Sequence, residues 1–375
     1  MAVKCFGIEA PVIKKGDDLV KIVVDSVLNA THNGEDITDK AIIGITESVV
    51  ARAAGLYVTV DDIANDIRNK FGDNPTICLT DMIYSRNRFS MILKGIARAA
   101  KKLYIVMEME DEVGNPRGVN QFTGVDIEEY YKEICKGENC EVEILHYLRT
   151  IWNDNPNLIY PGVDYIKEPI DGFIDCSLHL FGNFSHLALH SWYCFNPVYT
   201  LADICADKNP DFGVLGTNKA TEELLKLFPT KQTANLICDM VKALIYSKTG
   251  KDVLVCVYGD GCFKDPVGRI WEFADPVTMP GYTDPDVFES TPNEIKLKAF
   301  ADDKYKNLSG KELDEAVKEE IRTKDKNLVG NMASQGTTPR KIRDLVASLM
   351  DLVSGSGDKG TPIVLVLDYF KNYSS

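Results

Sequence analysis

The sequence lacks the features of a membrane, secreted or nucleic-acid-binding protein. No apolar run reaches the ~20 residues that a membrane-spanning helix needs. Charged residues interrupt the first fifteen positions, which therefore do not resemble a signal peptide. The net charge of −14 disfavours binding to nucleic-acid phosphates, because such binding requires clustered Lys and Arg. We therefore expect a cytoplasmic protein with no nucleic-acid or membrane partner.

Cysteine pairs and histidine metal motifs are also missing. The ten cysteines include no C-x-x-C pair, which argues against a structural zinc site. Cys78, Cys238 and Cys256 lie in apolar runs, where a free thiol behaves as a small hydrophobe. Three histidines in the 179–190 segment do not follow the helical H-E-x-x-H pattern of zinc proteases. We predict reduced cysteines and no zinc site.

What the sequence does contain is an alternation of helical and strand patterns. One helix is predicted to begin after Gly16-Asp17-Asp18, and the others cover residues 86–103, 127–135, 142–152, 230–247, 311–324 and 338–353. The predicted strands cover residues 41–46, 104–107, 253–258 and 362–367. This alternation predicts an α+β protein of mixed α/β layers. A chain of 375 residues suggests two domains, or one large domain with an insertion.

Several segments resemble the coenzyme F-420 glutamyl ligases. Residues 10–18 are similar to the "VPLIxxGDD" opening of that family, and residues 45–55 to its "IAExVVSKAEG" segment. Residues 211–218 resemble "GGVDxSN" and residues 265–271 resemble "DSxGRPW". The segment from Asp344 to Pro362 resembles the closing helix and strand. The order and rough spacing of these segments are kept over about half of the chain.

The resemblance implies a coenzyme F-420 glutamyl-ligase-like fold with a long internal insertion. Residues 1–80 and 190–375 would form the ligase-like core, and residues 81–189 would be the insertion. Because loops on a retained scaffold change substrate choice most easily, we expect the insertion to shape the substrate pocket. The family is similar in forming dimers, so the resemblance also implies a homodimer.

The family's chemistry implies cofactors and substrates. Such ligases are similar in using GTP and a divalent metal to activate a carboxylate as an acyl phosphate, from which the amine of glutamate then displaces phosphate. This reaction needs oxygen ligands for Mg²⁺ or Mn²⁺ and groups that neutralise the transferred phosphoryl group. We therefore expect GTP or ATP, Mg²⁺ or Mn²⁺, L-glutamate and a small-molecule carboxylate acceptor.

Three aspartates are candidate metal ligands. Asp265 matches the family's metal-binding aspartate in one alignment, and Asp260 competes because it follows a predicted strand, where active-site carboxylates are common. Both aspartates also fit ordinary turns. The family's other metal-binding aspartate falls on Leu215, which cannot bind a cation, so Asp211 in the same loop is the third candidate.

The resemblance also implies contacts to the nucleotide and the phosphoryl group. The implied nucleotide-binding residues are Ala10, Pro11, Val12, Ile13, Glu47, Arg52, Asn218 and Asp344. Arg52 stands where the family has a Lys, and it would meet a phosphate through its planar fork. Arg269, together with Asp265, is assigned to the catalytic step. The competing interpretations are that Asn218 caps a helix over residues 220–227 and that Asp344 lies on a solvated helix face.

Other interpretations remain open. The basic residues between Arg86 and Lys102 could attract an anionic acceptor, or simply form a solvated face. The substitutions at Leu215 and Pro266 favour a catalytically inactive family member that binds or regulates, and a folate-type polyglutamyl ligase is a second alternative. Gly259-Asp260-Gly261 also resembles the start of a thiamine-diphosphate metal motif, but Asn293 lies too far along the chain to complete it.

Overall fold

The computed structural model describes residues 3–80, 89–108, 126–147, 166, 168–176, 196–260, 277–334, 336–338, 340–355 and 358–374. None of the helices within these ranges has the length and hydropathy that a bilayer span requires. The strands form three separate sheets, and helices pack against the two larger ones. The predicted α+β class is confirmed at this level.

The regular elements in the described ranges are as follows. The helices are α1 (Leu19–Ala30), α2 (Glu47–Ala54), α3 (Val60–Phe71), α4 (Phe89–Ala99), α5 (Ile127–Gly137), α6 (Lys231–Thr249), α7 (Pro285–Phe288), α8 (Leu297–Ala299), α9 (Gly310–Thr323) and α10 (Ile342–Val353). The strands are β1 (Lys4–Ile8), β2 (Ile42–Thr46), β3 (Tyr57–Thr59), β4 (Thr76–Thr80), β5 (Lys102–Glu108), β6 (Glu141–Tyr147), β7 (Gly172–Asp175), β8 (Val198–Thr200), β9 (Asn218–Thr221), β10 (Leu224–Lys226), β11 (Leu254–Asp260), β12 (Val277–Tyr282) and β13 (Ile363–Leu367).

The first sheet joins the two ends of the chain in the order β1-β13-β2-β11-β12. Successive side chains of a strand point to opposite faces, and β2 shows the consequence. Ile43 and Ile45 pack in a core with residues of α1 and α6, whereas Ile42 packs with residues of α10 on the other face. With both faces covered, the strands can be apolar along their whole length.

The second sheet is parallel and has the order β6-β5-β4-β7-β8. Numbered along the chain, these strands follow the order 3-2-1-4-5 of doubly wound nucleotide-binding folds. Residues of α3, α4 and α5 form one large core against a single face of this sheet. The sheet takes its strands from residues 76–200, so it begins before, and ends after, the predicted 81–189 insertion.

A small third sheet, β3-β10-β9, lies between these parts of the chain. β3 precedes the second sheet in sequence, and β9 and β10 follow it. Backbone bonds close the junction, because the Val60 N–H donates to the Glu223 carbonyl at 3.1 Å and the Leu227 N–H donates to the Leu56 carbonyl at 3.0 Å. The chain therefore leaves for the second sheet and returns from it at neighbouring strands.

Helix starts follow the local sequence. The side chain of Asp18 accepts the N–H of Lys21 at the start of α1, which confirms the predicted first helix. Thr230 caps α6 through the N–H of Thr233, as expected for a long helix beginning there. At α3, Thr59 and Asp62 form a reciprocal capping box. The prediction that Cys78, Cys238 and Cys256 are buried free thiols is also confirmed, since none of their surface is exposed, and this burial raises the pKa of the Cys238 thiol.

Some local predictions are wrong. Residues 142–152 do not begin a helix, since residues 141–147 form β6. The helix expected over residues 220–227 is instead the β9–β10 hairpin, which pairs with β3. The last helix begins at Ile342 rather than at residue 338.

Candidate functional site

Three strands of the first sheet end along one edge. β13 is antiparallel to β1 and to β2, and β11 is parallel to β2, so β1, β2 and β11 run in the same direction. Ile8 of β1 and Ile45 of β2 both pair with Ile363, which aligns the two strand ends. We call this border the carboxyl edge. The segments that leave the sheet there are residues 9–13, Glu47 and the end of β11 at Asp260.

A buried polar cluster lies at the carboxyl edge. Glu47 and Lys226 are only 5% and 8% exposed, and the Lys226 ammonium lies 3.6 Å from Glu47 Oε1. The same ammonium donates to Ser48 Oγ at 2.5 Å. Asn218 Nδ2 donates to Glu47 Oε1 at 3.4 Å. We call Glu47, Ser48, Asn218 and Lys226 the Glu47 cluster.

Local structure brings the Glu47 cluster together. Glu47 is the first residue of α2, where the helix dipole favours a carboxylate. Asn218 begins β9 and Lys226 ends β10, and the two are paired across the hairpin. Two donors from neighbouring strands therefore converge on one oxygen of Glu47. Such an arrangement stabilises a buried carboxylate that would otherwise lose its hydration without compensation.

Gly259 allows Glu47 to lie against the end of β11. A Cβ atom at position 259 would lie 2.2 Å from Glu47 Cγ and 2.9 Å from its Cδ. Glycine inside a strand often marks such a close approach. A residue larger than glycine therefore does not fit at position 259, because the Glu47 side chain occupies that space.

The predicted nucleotide contacts at residues 10–13 and Arg52 lie beside the same helix. Residues 10–13 follow β1 at the carboxyl edge, and Val12 has 77% of its surface exposed. The chain then contacts the last turn of α2, where the Gly16 N–H donates to the Ala53 carbonyl at 2.9 Å. Arg52 is exposed on that turn. Residues 10–13 thus lie along the carboxyl edge, where α2 starts at Glu47, and Arg52 lies in the last turn of that helix.

The structure gives Asp211 a local role and buries Leu215. Asp211 Oδ2 accepts the N–H of Lys231 at 2.8 Å, so it stabilises the first turn of α6. Leu215 is 4% exposed and belongs to the core of the second sheet. A side chain at position 215 therefore faces apolar neighbours, which suits leucine.

Asp344 is not brought to the Glu47 cluster. It lies in the first turn of α10. The chain reaches the carboxyl edge only after the last turn of that helix, where β13 begins at Ile363. Its carboxylate lies 3.4 Å from the Arg343 guanidinium. Burial raises the pKa of Asp344, and nearby Arg343, Arg340 and Lys341 oppose this effect.

Several predicted site residues lie outside the described ranges. These are Asp265, Arg269 and Pro266, and also the histidines at 179, 186 and 190. The backbone of Asp260 is described and pairs with Val277 of β12, but its side chain is not. In the part of the chain that the structure describes, no three His, Cys, Asp or Glu side chains gather as a metal site.

The basic residues on α4 contact carboxylates of the protein itself. Arg98 bonds Glu138 and Glu223 at 2.8 Å, and also reaches Asp61 at 2.8 Å. Lys94 bonds Glu223 as well. These contacts offset the positive charge of the helix, so Lys94 and Arg98 do not form the cationic face considered for an acceptor. Arg86 and Arg88 lie outside the described residues.

The second sheet has a carboxyl edge of its own. Thr80 and Asp175 end the strands β4 and β7, between which the strand order reverses, and they are paired in register. They are 1% and 8% exposed. The connections that leave both strands lie outside the described residues, so the best-described polar site is the Glu47 cluster.

Sequence reasoning missed Lys226 and Ser48. Lys226 interrupts the apolar run Leu224-Leu225-Lys226-Leu227-Phe228, and a lone charge in such a run indicates a buried ion that needs a partner. Ser48 follows Glu47 directly. The helix predicted over residues 220–227 hid this signal.

Comparisons with known proteins show which sequences this chain resembles. A family model described as F420-0:Gamma-glutamyl ligase matches residues 7–368. The coenzyme F420:L-glutamate ligase of Methanothermobacter thermautotrophicus is 32% identical over 83 residues. That alignment covers 20% of this chain and 32% of that protein, so the chain aligns with about a third of the relative's length.

Proposed function

Because this chain belongs to the family of F420-0:Gamma-glutamyl ligases, whose model matches residues 7–368, we propose that it is a nucleotide- and divalent-metal-dependent ligase. It joins an amino acid, L-glutamate in the first instance, to a small-molecule carboxylate through an acyl phosphate. The name of the Methanothermobacter relative supports glutamate as the donor of the amine. A homodimer is the assembly we expect for the working enzyme.

One observation carries this proposal. Two segments that resemble the family, distant in sequence, meet at the carboxyl edge of the first sheet, beside the end of β11. The second segment supplies Glu47, the third supplies Asn218, and β11 delivers Asp260 just before the fourth. Catalytic and ligand-binding residues of α/β proteins commonly lie at this end of parallel strands.

We assign roles from the carboxyl edge and from the resemblance to the family. Backbone groups of residues 10–13 and the side chain of Arg52 contact the nucleotide. Arg269 contacts the transferred phosphoryl group, where a guanidinium fork can pair with two oxygens. Glu47 and Asn218 form the wall of the site next to β11. Exclusion of water by this wall favours attack by the amine of glutamate over hydrolysis of the acyl phosphate.

The described residues alone do not make a divalent-cation site. Glu47 and Asn218 carry oxygen donors of the type that Mg²⁺ prefers, but the Lys226 ammonium lies 3.6 Å from the Glu47 carboxylate and competes with a cation there. We therefore propose Asp260 and Asp265 as the metal ligands and Asp211 as a third. A bound Mg²⁺ or Mn²⁺ would neutralise phosphate oxygens of the nucleotide.

The first test is ligand-induced stabilisation. GTP or ATP with Mn²⁺ should raise the melting temperature, because a ligand that binds only the native state at about 100 times its Kd adds ~2.7 kcal/mol. Glutamate with a carboxylate acceptor should then cause release of inorganic phosphate. Deazaflavin and folate acceptors are compared in parallel, which separates the proposed ligase from the folate-type alternative. Mass spectrometry of the purified protein identifies any retained acceptor.

The metal assignment has its own test. Asp260→Asn and Asp265→Asn should each abolish metal-dependent phosphate release, whereas Asp286→Asn, an exposed aspartate on α7, should leave it unchanged. Full activity in both of the first two variants removes the proposed metal role.

A catalytically inactive, small-molecule-binding protein is the second candidate. The observation that favours it is the burial of Leu215 in the core of the second sheet, at the position of a metal-binding aspartate of the family. This candidate predicts no phosphate release with any nucleotide or acceptor, and no melting shift with nucleotide and metal at millimolar concentration.

A further inference from the structure

Lys226 is an unusual lysine for its position in the fold. It ends β10, and only 8% of its surface is exposed, although lysine is almost never buried unless it is paired. Its neighbours in the sequence, Leu225 and Leu227, belong to the apolar core of the second sheet. An ammonium held there must lower its desolvation cost through specific polar contacts.

The contacts of Lys226 converge on α2. Its Nζ atom donates to Ser48 Oγ at 2.5 Å and lies 3.6 Å from Glu47 Oε1. Asn218, its partner across the hairpin, donates to the same Oε1 at 3.4 Å. The hairpin therefore fixes the first two residues of α2 from one side.

The other side of Glu47 is fixed by β11. Position 259 can only be a glycine if Glu47 keeps its place, because an added Cβ would lie 2.2 Å from Glu47 Cγ. Glu47 is thus enclosed between the hairpin and the last residues of β11, next to Asp260. Few side-chain positions remain available to it in such packing.

We propose that Lys226 is a positioning residue of the ligase site, which acts by holding the Glu47 carboxylate at the carboxyl edge. This inference rests on the proposed function. With Asn218, Lys226 fixes the orientation of Glu47 before substrates bind, and its ammonium adds a positive charge beside that carboxylate. Loss of the ammonium leaves Glu47 buried beside an apolar side chain, from which it moves away.

The test is a double-mutant cycle on activity with Lys226→Met and Glu47→Gln. Each single variant should lower kcat/KM at least ~10-fold. The double variant should be no less active than the less active single variant, because both changes remove the same Lys226–Glu47 contact. Lys226→Arg should restore most of the activity, since it keeps the charge. Lys219→Met is the matched control, because Lys219 lies on the same hairpin but contacts Glu222.

The same variants also separate a loss of folding from a loss of activity. If Lys226→Met fails to fold, the double variant, which removes both charges of the pair, supplies the folded comparison, and Lys226→Arg still reports on the charge. Multiplicative losses in the cycle, or a Lys226→Met protein as active as Lys219→Met, overturn the inference while the wild-type ligase activity stands. If the wild type itself shows neither a nucleotide-induced melting shift nor product, the proposed function fails instead.

Discussion

The packing of the Glu47 side chain against Gly259 gives a quantitative prediction. In Gly259→Ala the new Cβ would lie 2.2 Å from Glu47 Cγ, far inside the ~3.5–4.0 Å separation of ordinary carbon contacts. Glu47 cannot retreat without leaving Lys226 and Asn218. Overpacking of this kind costs typically ~1–3 kcal/mol, and the lower chain entropy of unfolded alanine returns ~0.4–1 kcal/mol. We expect a net loss of about 1–2 kcal/mol.

Urea denaturation of four proteins measures this effect: the wild type, Gly259→Ala, Glu47→Ala and the double variant. Glu47→Ala removes Cγ and Cδ, the two atoms closest to the new Cβ, and leaves only Cβ at 3.0 Å, so Gly259→Ala should cost much less in that background. The expected coupling energy is therefore about 1–2 kcal/mol. Gly137→Ala is the control, because no atom lies within 4 Å of a Cβ built at that exposed end of α5. Additive losses in the cycle would refute the close approach.

The remaining predictions concern neighbouring features. Leu215→Asp should destabilise the protein by more than ~2 kcal/mol in thermal or urea unfolding, whereas Leu215→Met stays near wild type, because position 215 is only 4% exposed. Arg98→Met should lower the free energy of unfolding by about 1–3 kcal/mol, because charged hydrogen bonds to Glu138 and Glu223 are lost. Lys101→Met, a change at an exposed lysine, should have little effect. Hydrogen bonds from Arg98 and then Lys94 lower the pKa of Glu223 from 4.5 to about 2. The stabilisation by this carboxylate is thus complete above about pH 4.5 and is lost as the pH falls toward 2. Glu223→Gln should flatten the acid-unfolding curve in that window.

The sequence predicted those elements whose signals are local. The start of α1 at Asp18, the start of α6 at Thr230 and the buried strands β2, β11 and β13 were all readable, because caps and β-branched apolar runs act within a few residues. The elements of the Glu47 cluster were only partly readable. Glu47 follows a predicted strand, but its partners come from a hairpin more than a hundred residues away in sequence.

The wrong predictions have physical causes. Residues 220–227 contain Glu222, Glu223 and three leucines, which favour a helix locally, but pairing of β10 with β3 overrides that preference. Residues 141–147 alternate charged and apolar side chains at Glu141, Val142, Glu143 and Ile144. This period of two is typical of a strand exposed on one side, and β6 is an edge strand. The order of the second sheet depends on crossovers between distant segments, which no local pattern records.

The three-residue strands β3 and β10 have a consequence for how this protein can vary. The chain leaves β3 after Thr59 and reaches β10, the strand paired with β3, at Leu224, so the two ends of the intervening segment lie close together. Additions or deletions inside that span leave the register among β1, β2, β11 and β13 unchanged, since none of those strands lies within it. The second sheet can therefore change in evolution while the first sheet keeps its geometry.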